Sequence, residues 1–352
     1  MLFTSDNWAG AHPKVIEAIS QSASGYVPPH GRTAEDEALK EKFCDIFEHE
    51  VSVFLVSTGT AANALALSAM ARPGDVIFCH EAAHIRVDEC GAPWFFSQGL
   101  QLEAVSGGAG KIDGQALQAK VQSVTEGGLN AGRVGGLSLT QATEGGTLYS
   151  PAEITELSGL VSGNTTGRRP PVHMDGSRFS NAVAASGTTP AHLTWKNGVD
   201  LLSFGGTKNG CICAEALIVF DPTLAESMEF LRKRSGHLIS KLRFMTAQFM
   251  ALMNDNLWLE CATIANTHTT ALADIVRGSD RMRLAWEPEI NEIFAICKRA
   301  DFQKWSDVGL QAFVWQPTPS DRHLLDEDEC LIRLVTSFET EQSHIEALAR
   351  LI

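Results

Sequence analysis

The sequence predicts an α/β protein in which a mostly parallel, seven-stranded sheet forms a large domain over residues 1–255 and a smaller α+β domain follows over 256–352. Three observations carry that expectation. Strand-like and helix-like segments alternate between residues 50 and 220, the pattern of a parallel sheet covered by helices on both faces. A long helical stretch at 224–253, interrupted near Ser235-Gly236, then separates this interval from the rest of the chain. Finally, 352 residues with 44% hydrophobic composition exceed what one simple core takes up, so an appended unit is expected.

Residues 51–56 are apolar and β-branched and read as a strand; 60–70, rich in alanine and leucine at helical spacing, is the helix that it feeds. A second strand is expected at 75–79, a helical segment at 81–91, and further strands at 100–105 and 134–139. Residues 151–161 form a helix with Pro151 at its first position, where a missing N–H costs nothing. Strands at 172–175, 199–204 and 216–220 complete the sheet. Residues 106–110 and 163–171 are loops, the second a run of turn formers, Gly-Asn-Thr-Thr-Gly-Arg-Arg-Pro-Pro. In the smaller domain 263–276 reads as a helix and 331–336 as a strand, and no internal repeat is evident.

Composition removes several function classes. Lys+Arg 28 against Asp+Glu 42 leaves a net charge of −14, which disfavours nucleic acid or an anionic membrane surface and favours a small-molecule substrate. No apolar run approaches the ~20 residues that cross a bilayer. Met1-Leu2-Phe3 runs into Thr4-Ser5-Asp6 without a charged and then apolar leader, so reduced thiols in a cytoplasmic setting are expected. The eight cysteines lack zinc-ligand spacing and no metal is called for. They read as small core hydrophobes, with Cys211 and Cys213 sharing one face of a strand.

Lys208 carries the strongest chemical signal, because the strand at 199–204 delivers it through Gly205-Gly206-Thr207 into a turn closed by Asn209-Gly210. A desolvated lysine amine can lose its proton and attack the aldehyde of pyridoxal phosphate, while flanking glycines admit a flat cofactor; a solvated turn lysine satisfies the same string. Asp175 ends a strand and Arg178 follows it, placing a carboxylate and a guanidinium at the carboxyl edge of the sheet, where ligands of open α/β folds bind. The acid can keep a pyridine nitrogen protonated and the guanidinium can grip a substrate carboxylate, or the two can pair as a helix cap. Ser57-Thr58-Gly59-Thr60 lies between a strand and a helix, an arrangement that binds a phosphate and that also serves as plain N-cap chemistry. His84 follows a strand and can stack on a cofactor ring or fill a structural role, with Asp88 and Glu89 one helical turn on to orient it or face water. Tyr26 to Arg32, which contains His30, is a loop within reach of a site or an ordinary surface turn.

Ser5-Asp6-Asn7, Ser57-Thr58-Gly59-Thr60-Ala61-Ala62-Asn63, Ala83-His84 with Asp88-Glu89-Cys90-Gly91, Thr140-Gln141-Ala142-Thr143-Glu144, His173-Met174-Asp175-Gly176-Ser177-Arg178-Phe179-Ser180-Asn181 and Phe204-Gly205-Gly206-Thr207-Lys208-Asn209-Gly210 occur in this order through nearly the whole chain. Together they resemble low-specificity L-threonine aldolases, pyridoxal-phosphate enzymes of the aspartate-aminotransferase fold. The resemblance implies a PLP-transferase large domain and cleavage of the Cα–Cβ bond of L-threonine, L-allo-threonine or a related β-hydroxy-α-amino acid to glycine and an aldehyde. It also implies a homodimer or homotetramer with shared active sites.

By the same resemblance Lys208 would bond the cofactor, His84 would stack on its ring and serve as candidate base, and Asp175 would face the ring nitrogen. Thr58, Gly59 and Thr60 would hold the phosphate, and Lys241 would reach the phosphate of the neighbouring subunit. Arg178, beside the cofactor, would join Ser5 and Arg333 on the substrate carboxylate. Thr143 stands where many members carry a second active-site histidine, and His30-Gly31-Arg32-Thr33 stands where the family commonly reads Tyr-Gly-Asp-Asp, so Thr143 and His30 are expected near the substrate side chain. Rivals on the same fold are a phenylserine-type aldolase, a β-eliminating lyase and a transaminase; a non-catalytic pyridoxal-phosphate-binding protein is a rival of another class.

Overall fold

The protein is described by a computed structural model covering residues 1–163 and 169–352. The large sheet consists of β1 (Ser52–Val56), β2 (Asp75–His80), β3 (Gln101–Val105), β4 (Arg133–Thr140), β5 (Val172–Gly176), β6 (Leu201–Gly205) and β7 (Glu215–Val219). Its order is β1-β7-β6-β5-β4-β2-β3. β2 through β6 pair in parallel where they are neighbours, and β7 runs antiparallel to both β1 and β6. The link lengths explain this: parallel neighbours need a crossover of helical length, whereas β6 and β7 are joined by the short segment 206–214, which only permits reversal. Every residue of β2, β5, β6 and β7 is buried, as expected of strands covered on both faces.

The expected seven strands are therefore present, with boundaries shifted by a residue or two. Helix Gly59–Met70 begins one residue before the sequence expectation, and helix Leu257–Arg277 begins six residues before it. The interruption at 235–236 is real: helix Met228–Arg234 stops there and helix Arg243–Met253 begins after an irregular segment. Of the turn-rich loop at 163–171, residues 164–168 lie outside the described residues.

A second, antiparallel sheet is built from β8 (Met282–Leu284), β9 (Glu292–Lys298), β10 (Phe313–Trp315) and β11 (Glu329–Val335), in the order β10-β11-β9-β8. It has its own core, including Ile293, Ile332, Leu334, Trp305 and Leu348. Helix Leu257–Arg277 joins the two cores, with Leu257, Trp258 and Cys261 in the first and Leu272, Ala273 and Val276 in the second. Phe3 is fully buried in the second core; its N–H donates to Gln311 O at 2.9 Å and its carbonyl accepts from Val335 N at 2.9 Å. That anchoring fixes the segment that follows, Ser5-Asp6-Asn7, which matters at the site.

The cysteine expectation needs correction. Cys79, Cys211, Cys261, Cys297 and Cys330 are buried, but Cys90 and Cys213 are exposed and Cys44 is half-buried. Cys211 and Cys213 do not share a strand face, because residues 211–214 form a bend in which Gln248 Oε1 accepts from Ile212 N at 2.8 Å and Cys213 N at 3.3 Å. Among the described residues no helix is long and apolar enough to cross a membrane.

Candidate active site

A cavity of about 280 Å3 opens at the carboxyl edge of the large sheet. One wall is the transition from β1 to helix Gly59–Met70. Thr58 adopts an extended conformation and its Oγ1 caps the helix by accepting from Ala61 N at 3.1 Å. The amides of Gly59 and Thr60 are then left pointing out of the helix start, where the helix dipole also favours an anion. A Cβ at Gly59 would meet nothing within 4 Å, so this end of the helix faces open space. Ser57, Thr58, Gly59 and Thr60 all line the cavity.

The opposite wall carries Asp175 from the end of β5 and Lys208 from the turn after β6. Asp175 is 4% exposed, and its oxygens accept from Asn63 Nδ2 at 2.8 Å and Ser177 N at 3.1 Å. The lysine turn is tightly fixed: Asn209 Nδ2 donates to Trp258 O at 2.8 Å, and a Cβ at Gly206 would come within 2.4 Å of Ala214 O. Glycine is required there by the approach of two backbones. Glu215, at the start of β7, completes this wall and accepts from Gly206 N at 3.2 Å. Burial pushes its carboxyl up to about 7, against the opposing pull of Thr207 and the Lys208 ammonium.

His84 enters through a relay. Its Nδ1 lies 2.9 Å from Glu89 Oε1, the same oxygen accepts from Asn63 Nδ2 at 2.8 Å, and Asn63 thereby ties Glu89 to Asp175. The Glu89 carboxylate raises the His84 pKa to about 8 in spite of partial burial, while burial holds the Glu89 carboxyl above its usual range. Helical spacing pointed equally to Asp88 and Glu89; the helix stops at Val87, Asp88 stays exposed, and Glu89 turns inward. Ligand atoms of His84, Glu89 and Asp175 lie within 4.8 Å of one another, yet Asn63 donates to both carboxylates, which makes the cluster a hydrogen-bonded relay.

Behind the cavity lies a buried charge cluster. Arg178 donates from Nε and Nη2 to Asp6 at 2.7 and 2.9 Å, and its Nη1 is 3.2 Å from Glu292 Oε2. Arg333 Nη1 is 3.5 Å from Glu292 Oε1, and its guanidinium lies over Trp315 at 4.8 Å and Phe313 at 5.6 Å. Burial alone would raise the Asp6 carboxyl, but Arg178 and Lys208 draw it down to about 2. Likewise the Asp6 and Glu292 carboxylates outweigh burial and raise the pKa of Arg178. Asn7 and Ser177, next to Asp6 and Arg178 in the chain, line the cavity, so the cluster stands directly behind its wall. Asp6, Asn63, Glu215 and Glu292 had no assigned role in the sequence: Asp6 and Glu292 are recruited from elements distant in the chain, whereas Asn63 and Glu215 stand close to Gly59 and Lys208 in the chain but carry no local pattern that marks them.

Of the expected site residues, Lys208, His84, Asp175, Thr58, Gly59 and Thr60 converge on the cavity. Arg178 and Arg333 converge on Glu292. Ser5 caps the short turn Asp6–Trp8 by accepting from Asn7 N at 3.2 Å. The Thr143 hydroxyl is 2.7 Å from Thr147 Oγ1 in its own loop, the His30 ring faces Ile239 O at 3.3 Å, and Lys241 is exposed; none of these four lines the cavity. A larger cavity of about 630 Å3, between helices Pro13–Gln21 and Arg243–Met253, contains none of the residues that converge on the first.

An amine and an acid at the carboxyl edge of a mostly parallel sheet, opposite an open helix start, define a class of α/β enzyme sites. The model of the beta-eliminating lyase family matches residues 3–300, and the chain belongs to that family, within which it groups with low specificity L-threonine aldolases. The protein of that name from Pseudomonas sp. (strain NCIMB 10558) is 33% identical over 347 residues, 99% of this chain and 95% of its own. The Pseudomonas aeruginosa protein of the same name is 37% identical over 292 residues, 83% of each chain. Among solved structures, the threonine aldolase of Leishmania major superposes with a TM-score of 0.88 at 23% identity, covering 99% of this chain and 97% of that one. Sphingomonas wittichii serine palmitoyltransferase superposes at 0.70 with 15% identity, covering 100% and 86%. These two share the fold, which on its own does not select a reaction. Family membership makes the chain a carbon–carbon lyase.

Proposed function

We propose that the protein is a pyridoxal-phosphate-dependent aldolase that cleaves L-threonine, L-allo-threonine or a related β-hydroxy-α-amino acid to glycine and an aldehyde. One observation carries this: the Lys208 amine, the Asp175 carboxylate and the open start of helix Gly59–Met70 line a single cavity. The donor set fits pyridoxal phosphate, with free amides and hydroxyls for a phosphate, a carboxylate for a ring nitrogen and an amine for an aldehyde. When bound, that cofactor supplies the electron sink that accepts the Cα–Cβ bonding pair.

The chain's own residues divide the remaining work. Thr58, Gly59 and Thr60, with Ser57 beside them, would hold the phosphate, and Lys208 Nζ would hold the cofactor's aldehyde carbon. Asn63 and Ser177 N hold Asp175 with its carboxylate oriented for the ring nitrogen. Glu89 engages His84 Nδ1, so Nε2 is the nitrogen left to take the proton of the substrate β-hydroxyl, which it does above about pH 8, where the ring is neutral. Arg178 and Arg333 supply the positive charge for the substrate carboxylate. The same proposal includes a division of the chain at 255/256, a cytoplasmic setting, and a homodimer or homotetramer in which Lys241 reaches the neighbouring subunit's phosphate. It further places Ser5 at the substrate carboxylate and Thr143 and His30 near the substrate side chain.

The test is aldehyde release from a panel of β-hydroxy amino acids of both β-configurations, with added pyridoxal phosphate. Lys208→Ala is expected to lose both the bound-cofactor colour and turnover, by at least about 10^3-fold. A coloured, active Lys208→Ala protein overturns the assignment. Ammonia or a keto acid in place of aldehyde would identify a β-eliminating lyase or a transaminase.

A further inference from the structure

Glu292 is the anomaly of the charge cluster. Its side chain is 0% exposed, and among the described residues neither oxygen has a hydrogen-bond partner. Asp6, its counterpart, receives two hydrogen bonds from Arg178 and a third from Asn291 Nδ2 at 3.0 Å. A buried ion pair is favourable when its remaining lone pairs are satisfied, and a buried carboxylate held by charge alone pays a desolvation penalty that hydrogen bonds would offset. The donors facing Glu292 are also the uncommitted ones: Arg178 Nη1, Arg333 Nη1 and, close by, Arg333 Nε, which is buried without a partner among the described residues. Glu292 thus occupies, loosely, the position in which an incoming carboxylate would be gripped well.

Charge decides the consequence. Arg178 and Arg333 against Asp6 and Glu292 sum to zero, and Glu144, which also acts on Glu292, adds a negative charge. A substrate carboxylate entering this cluster adds another in a medium that screens poorly. Burial already holds the Glu292 carboxyl above its usual range, so it is the acid of the cluster readiest to be neutralised. We propose that Glu292 is a positioning residue that occupies the two arginines in the free enzyme and takes up one proton from solvent when the substrate carboxylate replaces it. The proton adds to a Glu292 oxygen, no other bond changes, and both arginines keep their charge. Gly146 supports the placement, since a Cβ there would stand 3.0 Å from Glu292 Cβ and its φ of +69° suits glycine.

This inference rests on the proposed function for the identity of the incoming carboxylate, and its test separates the two. Calorimetric titration of the cofactor-loaded protein with glycine, in buffers of different ionisation enthalpy, counts protons taken up; aldehyde release from threonine is measured alongside. Wild type is expected to take up roughly one proton more per glycine than Glu292→Gln. The variant should show KM for threonine lowered roughly tenfold and less dependent on pH, with kcat little changed. Glu292→Asp, which keeps the charge, should restore the proton uptake; it also serves as the second variant if Glu292→Gln folds poorly. Equal uptake in wild type and Glu292→Gln, or a raised KM in Glu292→Gln, overturns the proposal while leaving the aldolase reading intact. Glu292-dependent uptake with no aldehyde release supports the proposal and removes the aldolase reading.

Discussion

The wall of the cavity and the cluster behind it both place carboxylates beside cations, and they hold them in opposite ways. Around the cavity each acid is fixed by oriented donors: Asp175 by Asn63 and Ser177 N, Glu89 by Asn63 and the His84 ring. In the cluster, Asp6 is bound in the same directional manner, but Glu292 is held at 3.2 and 3.5 Å by charge, with no hydrogen bond among the described residues. Hydrogen bonds preserve a geometry, as a proton relay and a ring-nitrogen partner need; charge alone permits exchange. Groups that must stay are tied down, and the group whose place a ligand takes is not.

The sharpest way to break this comparison is to remove a directional tie. Asp6→Asn leaves the buried Arg178 guanidinium without its bidentate partner, and such changes cost about 3–5 kcal/mol. Urea denaturation at neutral pH should register that loss with an unchanged slope. The pH dependence has a definite sign. The folded-state pKa of Asp6, about 2, lies below the ordinary 3.8, so its contribution is fully present above 3.8 and disappears as pH falls through about 2. Wild type and Asp6→Asn should therefore differ most near neutrality and converge in strong acid. A loss below about 1 kcal/mol at neutral pH would show that Asp6 is no more strongly held than a surface ion.

How far the sequence disclosed this arrangement follows from where its parts lie. Lys208, Asp175, His84 and Gly59 sit at the ends of strands or at a helix start, and the rule that ligands of α/β folds bind at the carboxyl edge made them legible one at a time. The sheet was legible because buried parallel strands are uninterrupted apolar runs. Their partners were hidden. Asp6 reaches the site because Phe3 is anchored in the second core, and Glu292 because β9 of the smaller sheet begins there; neither carries a local pattern. Asn63 appeared within a motif, but the fact that its amide spans Glu89 and Asp175 depends on how the helix faces β5. Cys213 misled because its apolar neighbours suggest a strand, while Gln248 takes the backbone donors that a strand would pair.

Glu89→Gln should have a smaller effect than Asp6→Asn, felt in catalysis. A glutamine oxygen can still accept from His84, so the ring stays oriented while the charge that raises its pKa is gone. In wild type the neutral base accumulates above about pH 8; in the variant its midpoint should move down toward the ordinary 6.5. The acid limb of aldehyde release should consequently shift to lower pH with its steepness unchanged, while the maximal rate drops roughly tenfold because the imidazolium formed during proton transfer loses its counter-ion. A pH limb that stays in place would remove His84 as the titrating base.

The smallest effect is expected where the comparison is most delicate, at Trp315. Its ring lies 4.8 Å from the Arg333 guanidinium, and Phe313 lies on the same cation at 5.6 Å. A cation–π contact in a desolvated place is worth about 0.5–2 kcal/mol, and the phenylalanine retains part of it. Because Glu292 contacts Arg333 through charge alone, the aromatic rings supply much of what fixes the guanidinium plane. Trp315→Ala should therefore raise KM for the amino acid by a few-fold, leave kcat unchanged, and leave aldehyde chemistry and cofactor colour as they are. If kcat fell and KM did not, Arg333 would be acting on the bond-breaking step and not on the carboxylate, and the separation between a fixed catalytic wall and an exchangeable anion site behind it would fail.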